Sequence, residues 1–195
     1  MKRFISIFIV LALVAPLNAL AATYALDPAH TVIGFKVKHL MIANVKGVFE
    51  KFKGTVVIDD KDITRSTVNV SIDIASINTN IAKRDEHLRS GDFFDAATYP
   101  TMTFVSTSVE KAGANRLNVT GNLTLRGVTR PVVLSVEGPT AEVKSPQGVT
   151  KRGASATTSI NRQDYGVSWN KKLDAGGVVV GDEVQISIDA ELDRQ

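Results

Sequence analysis

The chain has 195 residues, with 23 Lys and Arg against 20 Asp and Glu, and no cysteine. That length suffices for one ordinary domain with a sizeable core, and the missing cysteines exclude disulfides and thiolate chemistry. Discounting Lys2 and Arg3 at the N-terminus leaves 21 basic against 20 acidic residues, and so even a balance, without a basic run or stripe, speaks against a nucleic-acid partner.

Lys2 and Arg3 precede an apolar run from Phe4 to Val14, then Pro16 and the small-residue string Ala19 to Ala22. A basic start, a short apolar stretch and an A-x-A pattern are the marks of a secretory signal peptide. The run falls short of the ~20 apolar residues a membrane span needs. We therefore expect residues 1–21 to be a cleaved signal peptide and 22–195 to be one domain. The mature protein is expected in the periplasm, and not as an integral membrane protein.

From there the apolar residues recur with period two. Ile33, Phe35 and Val37 alternate with Gly34 and Lys36; Val68, Val70 and Ile72 with Asn69 and Ser71; Leu123 and Leu125 with Asn122 and Thr124. Val132, Leu134 and Val136 share a face, as do Val184, Ile186 and Ile188. This is the pattern of antiparallel strands buried on one side and wet on the other. About eight strands are predicted, starting near Thr31, Gly47, Ser66, Thr101, Arg116, Val128, Gly153 and Asp182. Many strands joined by short polar turns predict an all-β sandwich or barrel. Closure removes exposed edges, which favours an eight-stranded antiparallel barrel.

Two segments interrupt the pattern. His39 to Gly47 is too long for a tight hairpin. Between the third and fourth strands, Ile81 to Ser90 reads as a polar helix, and Gly91 to Pro100 as a second short helix capped by Asp92. Both would lie at one end of the barrel.

Reactive motifs are scarce. The sequence has no G-x-S-x-G elbow and no glycine-rich phosphate loop, so no cofactor is predicted. The three histidines, His30, His39 and His87, lack metal-ligand spacing, and separate roles at strand and helix ends are expected for them, with a polar contact to a ligand head group as a lesser reading. Asp85, Glu86, Asp92 and Asp95 are numerous enough for acid–base work, but Arg84 and Arg89 stand among them, and mixed charge on a helix is ordinarily a solvated, ion-paired face. No catalytic residue and no metal ligand is assigned.

The aromatic and aliphatic inventory points elsewhere. An eight-stranded barrel is either filled by its own side chains or just able to hold one slender ligand. Gly54, Gly121, Ala154, Ala156 and Ala190 are small residues expected on inward faces, where they would leave room. An apolar lumen binds an apolar chain by burial alone, at about 0.8 kcal/mol per CH₂.

Several strings carry a family resemblance. The opening "YALDPAHTVIGFKVKHLMIANVKGVFEKFKG", the central "RDEHLRSGDFFDAATYPTMTF", the strand pair "VTGNLTLRGVTRPVVLSV" and the closing "INRQDYGVSWN" with "VGDEVQISIDAEL" occur in order from Tyr24 to Leu192. In these strings the chain resembles YceI-like proteins; "INTN" at Ile77 to Asn80 departs from the usual turn. The resemblance implies a lipocalin-like barrel exported to the periplasm, with no established enzymatic activity. It also implies a long-chain amphiphile as ligand, typically a polyisoprenoid and in some members a fatty-acid-type molecule.

The expected lumen residues are one face of each strand: Ile33, Phe35, Val37, Phe52, Val56, Val70, Ile72, Met102, Phe104, Leu123, Leu125, Leu134, Val136, Ile160, Val184 and Ile186. Phe94 would join them from the cap, with Phe93 beside it, and Trp169 from the loop after the seventh strand. Head-group contacts are sought from His39, His87, Asn161, Arg162 and Trp169. Arg84, Asp85 and His87 are expected to tie the cap down. Two rivals stay open: an enzyme using Asp85 and His87, which requires them to face the lumen, and a barrel filled by its own side chains that serves as an interaction module. An exposed strand or the apolar loop Met41 to Val45 would be the surface for a homodimer.

Overall fold

The computed structural model describes residues 21–173 and 176–195. The predicted signal peptide, apart from Ala21, lies outside the described residues. In chain order the strands are β1 (Ala22–Leu26), β2 (Val32–His39), β3 (Ala43–Phe49), β4 (Phe52–Ile58), β5 (Thr67–Asp73), β6 (Ile77–Asn78), β7 (Thr101–Gly113), β8 (Arg116–Leu125), β9 (Val128–Glu137), β10 (Val143–Lys144), β11 (Thr150–Asn161) and β12 (Val180–Arg194). One α-helix, α1 (Ala82–Arg89), stands among the described residues between β6 and β7.

Eleven of the twelve segments make eight barrel strands, because three strands are bent in two; the two-residue β10 is an extra piece paired with β11 alone. β1 and β2 run along the same edge of β12, β1 beside its C-terminal end and β2 beside its N-terminal part. β4 then pairs with β1 and β3 with β2. β5 lies on β4 while β6 lies on β3. From β5 the ring continues through β7, β8, β9 and β11 and returns to β12, closing an antiparallel barrel. Each strand of the ring has a neighbour on both sides, although β9 meets β11 over only Ser135 to Glu137.

The alternation lays one face of every strand on the barrel axis. Ile33, Phe35 and Val37 of β2 stand opposite Ile188, Ile186 and Val184 of β12. Val70, Phe104 and Leu123 form a row across β5, β7 and β8. A bulge in β7 between Ser106 and Ser108 inserts one residue, so Phe104 and Val109, of opposite parity, both face inward.

Three expectations need correction. The first strand begins well before Thr31: Ala22–Leu26 is already paired, and the link containing Pro28 merely bends it. His39 to Gly47 is not a long loop but a tight hairpin, with His39 already paired to Ala43. Its turn holds Leu40 and Met41 at φ 51° and 62°, the left-handed pair of a type I′ turn, and the Ile42 amide donates to the His39 carbonyl at 3.2 Å. The second cap helix does not form. Gly91 to Pro100 is a run of turns in which Asp95 takes φ 50°, while the Phe94, Asp95 and Ala96 amides reach back to carbonyls of Leu88, Ser90 and Arg89. Asp92 caps nothing; it pairs with His87 at 2.9 Å.

Candidate functional site

The barrel encloses a cavity of about 260 Å³. Its wall is built from the inward faces of β2, β4, β5, β7, β8, β9, β11 and β12, with Leu88, Phe93 and Phe94 at the cap end and Leu26, Ile58, Ile63 and Pro139 at the other. The polar residues on it are few: Ser66, Ser155, Thr158 and Arg162. Water requires two to four polar partners to be held in such a space, so a wall of this composition favours apolar contents.

Of the residues expected to face the lumen, Ile33, Phe35, Val37, Val56, Val70, Ile72, Phe94, Met102, Phe104, Leu123, Leu125, Leu134, Val136, Ile160, Val184 and Ile186 all line the cavity. Phe52 and Trp169 do not; both pack, half-buried, against the core instead. Ala154, Ala156 and Ala190 do open space on the wall. Gly54 and Gly121 do not: a methyl group on Gly54 would meet Leu26 Cδ1 at 2.6 Å, and one on Gly121 would run into the Phe104 ring. These glycines admit a neighbour's side chain rather than a ligand.

The cap is fastened at several points. Buried Asp85 on α1 accepts the Thr79 amide at 2.9 Å and the Thr79 hydroxyl at 2.5 Å. Arg84 donates to the same hydroxyl and to the Thr79 carbonyl, and Arg89 to the carbonyls of Ala75 and Ile77. Beyond the helix, Phe93 packs against His87 and Trp169 with ring centroids 5.0 and 5.2 Å away. Arg126 bridges the carbonyls of Gly91 and Gly166, so the cap and the loop after β11 are held together from both sides. Phe94 extends the arrangement inward, its ring edge-on to Phe49 at 6.1 Å.

The proposed head-group residues separate into different roles. Arg162 borders the cavity, but all five of its N–H donors serve the chain: the carbonyls of Val167, Trp169, Val180 and Gly181, and Asp182. Its burial holds the guanidinium below its ordinary pKa. Asn161 accepts the Gln163 amide at 2.9 Å as the cap of a short 3-10 turn. His39 sits in the hairpin and His87 on the outside of the cap, its side chain 43 % exposed. Neither His87 nor Asp85 lines the cavity.

The opposite end is a polar seal. Tyr24, fully buried, donates to Glu142 at 2.5 Å and accepts from Arg152 at 3.0 Å, and Arg152 reaches Asp60 at 2.7 Å. Burial, reinforced by the hydrogen bond to Glu142, raises the Tyr24 phenol above its ordinary pKa. Beside it Lys151 lies 3.0, 2.7 and 2.6 Å from Asp27, Glu191 and Asp193. His30 joins at 2.7 Å from Asp27. Asp27, His30 and Glu191 are close enough to hold a metal, but the Lys151 ammonium is already the cation among those carboxylates. The three histidines are thus apart, at the seal, the hairpin and the cap.

The YceI-like domain model matches residues 24–192. A UPF0312 protein of Vibrio parahaemolyticus is 43 % identical over 159 residues, 80 % of this chain and 84 % of that one. Among solved structures, BcnA of Burkholderia cenocepacia superposes with a TM-score of 0.73 at 28 % identity, over 85 % of this chain and 98 % of its own. A polyisoprenoid-binding domain from Saccharophagus degradans superposes at 0.65 and 18 % identity, over 90 % and 99 % of the two chains.

Proposed function

The chain belongs to the YceI-like family, and from the shape and chemistry of its lumen we propose that it is a non-enzymatic carrier of long-chain amphiphilic lipids, polyisoprenoids foremost, in the periplasm. The observation that carries this reading is the apolar cavity inside a closed barrel. A prenyl or acyl chain gains about 0.8 kcal/mol for each CH₂ it buries there, and needs no dedicated polar contact. The fold shared with the Saccharophagus polyisoprenoid-binding domain is consistent with that use. The export-type N-terminal pattern supports the compartment.

The rivals fare less well. An enzyme built on Asp85 and His87 needs both groups to reach the substrate, and both are spent on Thr79 and Asp92 at the cap. A barrel filled by its own side chains would leave no such cavity. The test is native mass spectrometry of protein released from the periplasm without detergent, followed by solvent extraction. A co-purifying lipid, or stoichiometric uptake of an added polyprenyl lipid, is the expected result. Protein that carries none and takes up none would return the filled-barrel module to first place.

A further inference from the structure

The β2–β3 hairpin ends in an apex that the lumen does not explain. Met41 and Ile42 are 53 % and 83 % exposed, the most exposed pair of large apolar neighbours among the described residues. The apex is held rigidly: the Leu40 amide donates to the Val179 carbonyl at 2.8 Å, and the Val179 amide to the Lys171 carbonyl at 3.0 Å. Around it stand Lys38 and Lys46 on the hairpin and Lys171 and Lys172 on the adjoining loop, all exposed. None of these four has a salt-bridge partner among the described residues. The nearest acidic side chains on β12 are occupied, Asp182 by Arg162 and Gln163, and Glu183 by Gln185.

We propose that this apex docks the protein on an anionic phospholipid surface, with Met41 and Ile42 entering the headgroup–acyl boundary and the four lysines facing lipid phosphates. An apolar tip ringed by lysine ammonium groups is complementary to such an interface. A second copy of the chain is the poorer occupant, because two side chains at a hairpin tip offer a small part of the ~800 Å² per partner that a stable dimer buries. The placement also has a use. Val37 and Val180, on the strands leading to the apex, line the cavity, and Val37 lies four residues from Met41, at most roughly 13 Å along the chain. A lipid leaving the surface would meet the lumen wall within one hairpin length. The proposal rests on the apex itself and not on the lumen's contents.

Co-flotation of the purified protein with vesicles tests it, using phosphatidylcholine alone and an equal mixture with phosphatidylglycerol. Binding to the mixed vesicles, weakened by salt, is expected. Ile42→Ser should reduce it about tenfold or more, and Lys171→Gln about fivefold. Both positions are exposed, and unchanged circular dichroism would verify that the fold is kept. Absence of flotation with either vesicle, or flotation indifferent to Ile42→Ser, would overturn the proposal. So would a solution dimer that Ile42→Ser converts to monomer without any vesicle binding. Ile42 does not line the cavity, so Ile42→Ser protein that loses flotation yet still takes up an added polyprenyl lipid separates docking from lumen binding.

Discussion

The buried carboxylate of Asp85 accepts two hydrogen bonds from one residue, the amide and the hydroxyl of Thr79, and so pins α1 to the end of the strand that β5 and β6 make together. Asp85→Ala leaves the Thr79 amide without its partner in a buried position, a loss of about 1–3 kcal/mol. Urea denaturation should show it as a lower midpoint with an unchanged slope. Asp85→Asn keeps one acceptor and should recover part of the loss. An equal midpoint for Asp85→Ala and the parent would mean that the cap is held by Arg84 and Arg89 alone.

Phe93 and Phe94 are adjacent but differ in what they hold. Phe93 is buried between His87 and Trp169, and Phe93→Ala should cost about 3–5 kcal/mol of stability. Phe94 is half-buried on the cavity wall, and its pairing with Phe49 is worth about 0.5–1.5 kcal/mol. Phe94→Ala should therefore leave the fold intact and speed release of a bound polyprenyl lipid. Trp169 is the chain's one tryptophan, so its emission reports on this cap directly. A release rate identical to the parent's would remove Phe94 from the retention mechanism.

Ala156 distinguishes a carrier from a solid barrel. It sits on the wall opposite Val136 and Ile188. Ala156→Leu adds three carbons to the lumen and displaces two or three methylenes of a guest. That predicts about 2 kcal/mol, or some thirtyfold, weaker lipid binding, measured by competition with a fluorescent fatty acid. Stability should change little, because the added side chain enters the cavity instead of a packed core. In a filled barrel the same substitution would overpack and destabilise by ~1–3 kcal/mol.

These residues also show what the sequence could and could not convey. Period-two alternation is a direct imprint of a half-buried strand, so the pattern alone puts Phe35, Val70, Leu123 and Ile186 on the inward face, where they line the lumen. Signals that depend on backbone sign were hidden. Leu40 and Met41 do not advertise a left-handed turn, whereas Asn-Gly would have. The bulge in β7 changes the face of later residues without leaving a compositional mark, so parity alone turns Val109 outward although it lines the cavity. Gly54 and Gly121 suggested open space, but their emptiness is filled by Leu26 and Phe104, side chains brought there by pairing across the barrel. Phe52 had the right parity and still missed the cavity, because parity gives the face and not the depth. Arg162 reads as a ligand contact, but its partners are mostly main-chain carbonyls, of Val167 and Trp169 in its own loop and of Val180 and Gly181 on β12, and carbonyls carry no residue pattern.

That fan of hydrogen bonds makes Arg162 a strong structural prediction. Arg162→Lys retains the charge but offers one compact ammonium in place of a planar five-donor fork. Several of the five acceptors would lose their partners, and a loss of about 3 kcal/mol or more is expected. The loop that carries Trp169 should loosen with it, shifting tryptophan emission to the red in the folded state. A variant with parental stability and emission would show that the loop is held without the guanidinium.

The seal at the far end gives a pH dependence of defined sign. The Asp27 carboxylate beside His30 raises the imidazole above its ordinary pKa, with the Glu191 charge adding to it. The stabilisation from this pairing is complete below the unfolded value of about 6.5, and it is lost as pH rises through the higher folded value. Asp27 is shifted the opposite way, well below the usual carboxylate range, by hydrogen bonds from His30, the Ala29 amide and Lys151. Its contribution is present above the unfolded carboxyl pKa and disappears only in strong acid. Thermal midpoints should therefore decline modestly as pH rises above about 6.5, modestly because His30 is largely exposed. His30→Gln should flatten that decline and leave the acid limb governed by Asp27. If the parent and the variant decline alike over this range, the pH dependence arises outside the His30–Asp27–Glu191 cluster.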